Sequence, residues 1–303
     1  MNPVHRILCP TDLSPESDKA IRHALVLAHA FGARVIICHT LEAAPLTDDL
    51  ETMLHGILDE AARDCLPGGD AMPAYEIMIT TGEAVQVITH EAVRQRADLI
   101  VMHSRHRSYA ATLLGSNAEA VCHNAPCPVL VTHSGEEDKA GAGSPRAWPE
   151  RILMAHDFSV DSEAALLFGA TLARGFQATL HLLHVLPGAQ PGIRQTEDTA
   201  GQMESAMTQA GELLREAIPA RARNGYEIRY AVRPGTPWRV ILDYADEHDI
   251  DLICLGARGM GFSMEGPSGS NMDQVMRQAS CSILVARPPK YASFSMAENR
   301  LAD

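Results

Sequence analysis

Aromatic residues are scarce in this 303-residue chain: Phe, Trp and Tyr together make up 5%. The core must therefore be built from Ala, Val, Leu, Ile and Met. Positive charge is also short. Lys and Arg number 25 against 38 Asp and Glu, a formal net charge of −13. That disfavours a nucleic-acid backbone as the main partner, because such a partner needs clustered Lys and Arg. It does not exclude a small nucleotide held by a local nest of backbone N–H groups. No apolar run approaches the length of a membrane span, and the opening Met-Asn-Pro-Val-His-Arg has no apolar signal core. The seven cysteines (Cys9, Cys38, Cys65, Cys122, Cys127, Cys254 and Cys281) form no CxxC pair, are odd in number and mostly sit in apolar runs. They read as buried free thiols of a reducing compartment, so the chain is expected in the cytoplasm.

What is present is a long internal repeat. Arg6-Ile-Leu-Cys-Pro-Thr-Asp-Leu-Ser aligns with Arg151-Ile-Leu-Met-Ala-His-Asp-Phe-Ser. The alignment runs without a gap through Ala20/Ala165, Leu27/Leu172, Phe31/Phe176 and His39/His184. After a widened offset it resumes at Gly82/Gly235, Ile88/Ile241, Asp98/Asp251 and Arg105/Arg258, and closes at Gly115/Gly269, Ser116/Ser270, Asn117/Asn271 and Cys127/Cys281. A period this long means paired domains rather than a solenoid. Between the copies, the small, polar, glycine-rich stretch from Ser134 reads as a flexible linker. The end of the chain, from Pro288, reads as a loosely held tail.

Each half alternates strands and helices. The first half predicts strands at Arg6–Pro10, Arg34–Thr40, Tyr75–Thr80, Leu99–His103 and Val129–Thr132. Helices are predicted after Ser14 as cap, over Leu50–Leu66 and Ala84–Arg96, and from Ser116. The second half repeats the pattern, from Arg151–Ala155 to Ser282–Ala286. Near-continuous apolar strands such as Ile283-Leu-Val-Ala suit a parallel sheet covered on both faces. The predicted fold class is therefore α/β, two duplicated doubly wound domains, each a five-stranded parallel sheet flanked by helices. Ligands in such sheets bind beyond the carboxyl ends of the strands, at the switch in strand order.

Chemistry concentrates in residues 252–271. A buried strand runs into Gly256 and Gly259, and after a gap come Gly269 and Ser270 at a helix start. Glycine lets the backbone approach an anion, and a helix N-terminus offers unpaired N–H donors with a favourable dipole. The first half carries His103 and His106 at the two glycine positions, giving His-x2-His-x8-Gly-Ser.

With these residues in view, the chain resembles a tandem universal stress protein. Three features carry the likeness. One is the strand-Asp-x-Ser opening of each half; another is the Gly-x2-Gly-x9-Gly-Ser loop of the second half. The third is the closing pair Ala-Pro-Cys-Pro-Val-Leu-Val at 125–131 and Ala-Ser-Cys-Ser-Ile-Leu-Val at 279–285. The likeness divides the chain into a domain with a degenerate nucleotide loop (1–134), a linker (135–147), a domain with an intact motif (148–290) and a tail (291–303). It implies a Rossmann-like fold of the adenine nucleotide alpha hydrolase type, and ATP bound in the second domain by Ala155, Asp157, Val185, Leu255, Gly256, Arg258, Gly259, Gly269, Ser270 and Asn271. In this reading Asp157 meets the nucleoside end, main-chain groups after the second strand line the adenine pocket, and the loop holds the phosphates. Mg2+ is admitted as a phosphate counter-ion, although no carboxylate cluster demands it. The function implied is a nucleotide-responsive stress-response module. Its domains are expected to pair through their last strands, since an apolar edge strand left open is an aggregation hazard; whole chains are free to dimerise again.

Plainer readings stand beside these. Asp157 and Ser159 are also good helix caps, and the glycines also suit ordinary turns. The Met203/Met207 and Met272/Met276 pairs have helical spacing and read as core. His103 and His106 are spaced to share a metal, but no Cys or carboxylate completes a four-ligand set. A slow ATPase or phosphotransferase is the enzymatic alternative; no Walker lysine follows the glycine loop, and no catalytic triad or paired-carboxylate arrangement stands out. A scaffold whose first half takes a non-nucleotide ligand or metal is the third reading. Because side chains replace both glycines in the first half, a nucleotide titration is expected to find one tight ATP site per chain. Two tight sites would contradict this.

Overall fold

The computed structural model describes residues 4–41, 48–66, 71–104, 116–133, 148–187, 197–218, 220, 223–259, 270–286 and 288. Gly115, Gly269, His106, the linker 135–147 and the tail 291–303 lie outside these residues. The first half runs β1 (Arg6–Thr11), α1 (Asp18–Phe31), β2 (Arg34–Leu41), α2 (Asp48–Cys65), β3 (Tyr75–Thr81), α3 (Ala84–Arg94), β4 (Leu99–His103), α4 (Ser116–Asn124) and β5 (Val129–Thr132). The second runs β6 (Arg151–Ala155), α5 (Val160–Phe176), β7 (Thr179–Pro187), α6 (Glu197–Ala217), β8 (Ile228–Gly235), α7 (Pro237–Glu247), β9 (Leu252–Gly256), α8 (Asn271–Gln278) and β10 (Ser282–Ala286).

The strands form one ten-stranded sheet in the order β3-β2-β1-β4-β5-β10-β9-β6-β7-β8. Each half is parallel throughout. The two halves meet antiparallel, with Val129, Leu130 and Val131 opposite Val285, Leu284 and Ile283. Successive strand residues face opposite sides, so the apolar runs fill two cores. Ile7, Cys9, Val35, Ile37 and Val101 face one side with α1 and α5; Leu8, Ile36, Cys38, Ile100 and Met102 face the other with α4 and α8. Both cores continue across the junction. On the first face, Phe31 and Phe176 meet edge to face at 6.0 Å between centroids. Gly175 lies against Phe31, where a Cβ would be 3.0 Å from the ring.

On the opposite face α4 and α8 are braced by two crossed acid–base pairs. Arg277 Nη2 donates to Glu119 at 2.7 Å, and His123 Nε2 donates to Asp273 at 3.0 Å. In the repeat Glu119 corresponds to Asp273 and His123 to Arg277, so each pair is the image of the other, as a two-fold interface requires. Glu119, His123 and Asp273 are close enough to share a cation. The Arg277 guanidinium at the same place already supplies the positive charge.

The first helix starts later than its sequence suggests. Ser14 Oγ accepts from the Ser17 N–H at 3.3 Å, but within a turn that precedes the helix. Asp12 Oδ1 accepts from the backbone N–H of Ser14 at 3.0 Å and from its hydroxyl at 2.5 Å. The helix itself begins only at Asp18, with Ser17 as N-cap. All seven cysteines are free thiols, six of them buried. Burial pushes the Cys38 thiol up to about 12 and that of Cys65 to about 11, which leaves both unreactive near neutrality.

Two buried histidines shape the acid response. His181 Nδ1 pairs with the Tyr244 hydroxyl at 3.0 Å, and His156 Nδ1 accepts from the Phe158 N–H at 3.2 Å. Burial pulls both pKa values from the ordinary 6.5 down to about 4, because charging a ring inside the core is costly. Between those pH values the unfolded chain binds more protons than the folded one. The stability contributed by these two neutral rings is therefore full above pH 6.5 and is lost as pH falls towards 4. His181→Gln is expected to flatten part of that slope, read from urea unfolding of both proteins at neutral and mildly acidic pH.

Candidate functional site

In the second half the strand order reverses between β6 and β9, which pair side by side through Ile152/Leu252 and Met154/Cys254. Two segments leave the sheet there at adjacent carboxyl ends: Ala155-His156-Asp157 from β6 and Gly256-Ala257-Arg258-Gly259 from β9. Leu255 is the last buried side chain of β9, in register with Val285, and Gly256 pairs with Ala286. On the far side of β6, His184 Nδ1 donates to the His156 carbonyl at 2.7 Å. This ties the end of β7, including Val185, to the end of β6. Phe158 packs between the two histidine rings, 5.0 Å from His156 and 4.7 Å from His184 between centroids.

The loop after β9 is fastened to the start of α5. Ser159 caps α5 by accepting from the Ser162 N–H at 3.2 Å, and its hydroxyl donates to the Arg258 carbonyl at 3.2 Å. The Arg258 N–H donates to Asp161 Oδ2 at 3.0 Å. Asp157 Oδ1 accepts from the Ser159 N–H at 3.1 Å, and its other oxygen lies over Gly259. A Cβ at Gly259 would sit 2.6 Å from Asp157 Oδ2. The sequence-predicted Ala155, Asp157, Leu255, Gly256, Arg258 and Gly259 thus gather at the adjacent carboxyl ends of β6 and β9, with Val185 beside them.

Gly256 has a reason to be glycine that the motif alone did not reveal. A Cβ there would lie 2.7 Å from the Ser162 backbone nitrogen and 2.9 Å from the Asp161 carbonyl carbon. The missing side chain lets the first turn of α5 rest on the end of β9, whether or not a ligand is bound. In the first half His103 occupies the matching place, in register with Thr132 as Gly256 is with Ala286. Its Nδ1 lies 3.2 Å from Thr132 Oγ1. The corresponding helix turn is absent: residues 15–17 form a turn, where their counterparts Val160, Asp161 and Ser162 are helical. Losing the glycine and shortening the helix go together.

The helix after the loop departs from expectation in one respect. The resemblance assigns Ser270 to the ligand. Instead it closes a capping box: its N–H donates to Asp273 Oδ2 at 2.9 Å and its Oγ accepts from the Asp273 N–H at 3.2 Å. The backbone donors of Asn271, which is exposed, and Met272 open the α-helix, where an N–H has no carbonyl one turn back to pair with. Of the histidines considered for a metal, His103 is paired as described and His106 lies outside the described residues.

Two copies of one α/β unit, each with an aspartate at the end of its first strand and a loop after its fourth, define a duplicated doubly wound protein. The family model described as the universal stress protein family matches residues 3–133 and 149–287, and the chain belongs to that family as a two-domain member. A universal stress protein of Mycolicibacterium smegmatis is 25% identical over 307 residues, covering 93% of this chain and 97% of that protein. One from Thermus aquaticus is 29% identical over 136 residues, 41% of this chain but 96% of that protein, so it matches a single half. The crystal structure of a universal stress protein from Archaeoglobus fulgidus superposes with a TM-score of 0.65 at 22% identity, covering 94% of this chain and 97% of that one. That likeness establishes the fold.

Gly256→Ala is expected to destabilise the protein by about 1–3 kcal/mol, the usual cost of overpacking. Gly56→Ala, in α2 with nothing within 4 Å of the added Cβ, is expected to stabilise it by about 0.5–1 kcal/mol. Urea unfolding of the two variants checks both signs.

Proposed function

We propose that this protein is a nucleotide-responsive regulatory module that binds ATP in its second half, within residues 148–290. The observation that carries the reading is the convergence of Asp157 with Gly256 and Gly259 at the switch in strand order, where doubly wound sheets take their ligands. Asp157 is placed to accept hydrogen bonds from ribose hydroxyls or from an adenine amine. Ala155 and Val185 supply main-chain groups for the base. Gly256, Arg258, Gly259, Gly269, Ser270 and Asn271 surround the phosphates, with the donors of the first turn of α8 facing them.

The capping box narrows what Ser270 contributes. Its N–H is used within the helix cap, so its hydroxyl proton and the later backbone donors carry its share. Asp161 adds a second carboxylate beside the loop, through its bond to the Arg258 N–H. Two carboxylates flanking a triphosphate repel it, and a bound Mg2+ would offset that repulsion. ATP is accordingly expected to bind more tightly with Mg2+ than without.

The first half, residues 1–134, acts in this reading as a structural partner. His103 stands where the second half has Gly256, and the Ser14 hydroxyl donates to Asp12, whereas that of Ser159 donates to the Arg258 carbonyl. The antiparallel junction of β5 and β10 supports treating the two halves as a dimer built into one chain, acting in the cytoplasm. Asp157→Ala is expected to weaken ATP binding at least about tenfold, the worth of a charge-assisted hydrogen bond, while Asp12→Ala leaves it unchanged. Isothermal titration of the full chain reads both. Equal losses in the two variants, or none in either, would refute the assignment.

A further inference from the structure

The opposite end of the first half carries a concentration of positive charge that the acidic composition does not prepare for. Arg6 opens β1 and Arg34 opens β2; Arg94 closes α3 and Arg96 follows its cap. These four arginines line one cleft of about 410 Å³ at the amino ends of the strands, with Glu76 the sole carboxylate in its lining. The cleft is remote from the residues gathered around Asp157, which lie at the carboxyl ends.

The side chains are held while keeping donors to spare. Arg34 donates to Glu76 at 2.8 Å, Arg94 to Glu91 at 2.6 Å, and Arg6 to the Gln95 carbonyl at 3.1 Å. A guanidinium has five N–H donors in a fixed fork, so each retains several. Arg34 and Arg94 are about half exposed, with 52% and 56% of the side chain accessible. The carboxyl end of α3 accounts for one basic residue, since a cation in the last turn complements the dipole. It does not account for Arg6 and Arg34 on neighbouring strands, or for Arg96 beyond the cap.

The repeat supplies the control. The places of Arg34, Glu76, Arg94 and Arg96 are taken in the second half by Thr179, Arg229, Glu247 and Asp249, and only Arg6 keeps its charge, as Arg151. Arg96 and Asp249 both adopt left-handed backbone, with φ of 51° and 48°. Aspartate tolerates that conformation and arginine does so less readily. The same fold position thus carries a suited, acidic residue in one half and a less suited, basic one in the other.

We infer that this arginine cleft binds a small phosphorylated anion. Guanidinium forks match phosphate oxygens two at a time, and four of them spread over β1, β2 and the end of α3 suit a ligand with two or more phosphate charges. This site is separate from the proposed nucleotide site and does not depend on it.

The test uses pyrophosphate and the full-length chain. Phenylglyoxal modification, mapped by mass spectrometry, is expected to slow at Arg34, Arg94 and Arg96 in the presence of pyrophosphate and to be unaffected at Arg239, outside the cleft. By titration, the Arg34→Gln/Arg96→Gln double variant is expected to lose about tenfold or more of the affinity contributed by this cleft, from two charge-assisted contacts. Binding is expected to weaken as salt is raised. Unchanged modification rates at saturating pyrophosphate would overturn the inference, as would a double variant that binds like the parent. Failure of the ATP reading would appear in the ATP titrations alone and leave this protection pattern intact.

Discussion

The antiparallel ladder between Val129–Val131 and Ile283–Val285 is the contact on which the architecture rests. Each half ends in a short strand whose side chains are buried along its whole length. Left alone, such a strand would expose apolar side chains and unpaired backbone groups together. Paired, the two strands convert two five-stranded sheets into one of ten, and both apolar layers run through the join. The Phe31–Phe176 contact on one face and the crossed pairs of α4 and α8 on the other then fix how the halves sit. Hydrophobic burial supplies the drive, and the acid–base pairs add register and orientation.

Within that frame the halves differ by a steric choice. Where Gly256 leaves room, α5 starts a turn earlier, and Ser159 and Asp161 reach the loop and hold it. Where His103 stands, the same segment remains a turn and the Ser14 hydroxyl donates to Asp12. The glycine that ends β9 thus serves the packing of α5. The family assignment places both halves on one ancestral plan, and the residue at this position tells them apart. The arginine cleft adds a second asymmetry, at the other end of the sheet and in favour of the first half.

Much of this was legible along the chain. Apolar runs bounded by turn residues marked Leu99–His103, Val129–Thr132, Arg151–Ala155 and Ser282–Ala286 at their observed limits, because a strand buried on both faces announces itself by composition. The start of α1 was not legible. Ser14 is a good cap by type and does accept from the Ser17 N–H, yet residues 15–17 form a turn and the helix starts at Asp18. Ser270 shows the same limit in reverse: its position at a helix start was readable, but its engagement with Asp273 depends on side-chain geometry. The four arginines are scattered between positions 6 and 96, and no local window joins them.

By itself, the sequence determined the duplication, the α/β class and the family, since these follow from periodicity and ordered motifs that survive without coordinates. Tertiary structure alone decided what each motif residue touches. It set Gly256 against the first turn of α5, crossed Glu119 with Arg277 between helices 158 residues apart in the chain, and gathered four arginines into one cleft. The reason is physical: backbone patterning is a local property of the chain, whereas steric fit and charge proximity belong to segments that only folding brings together.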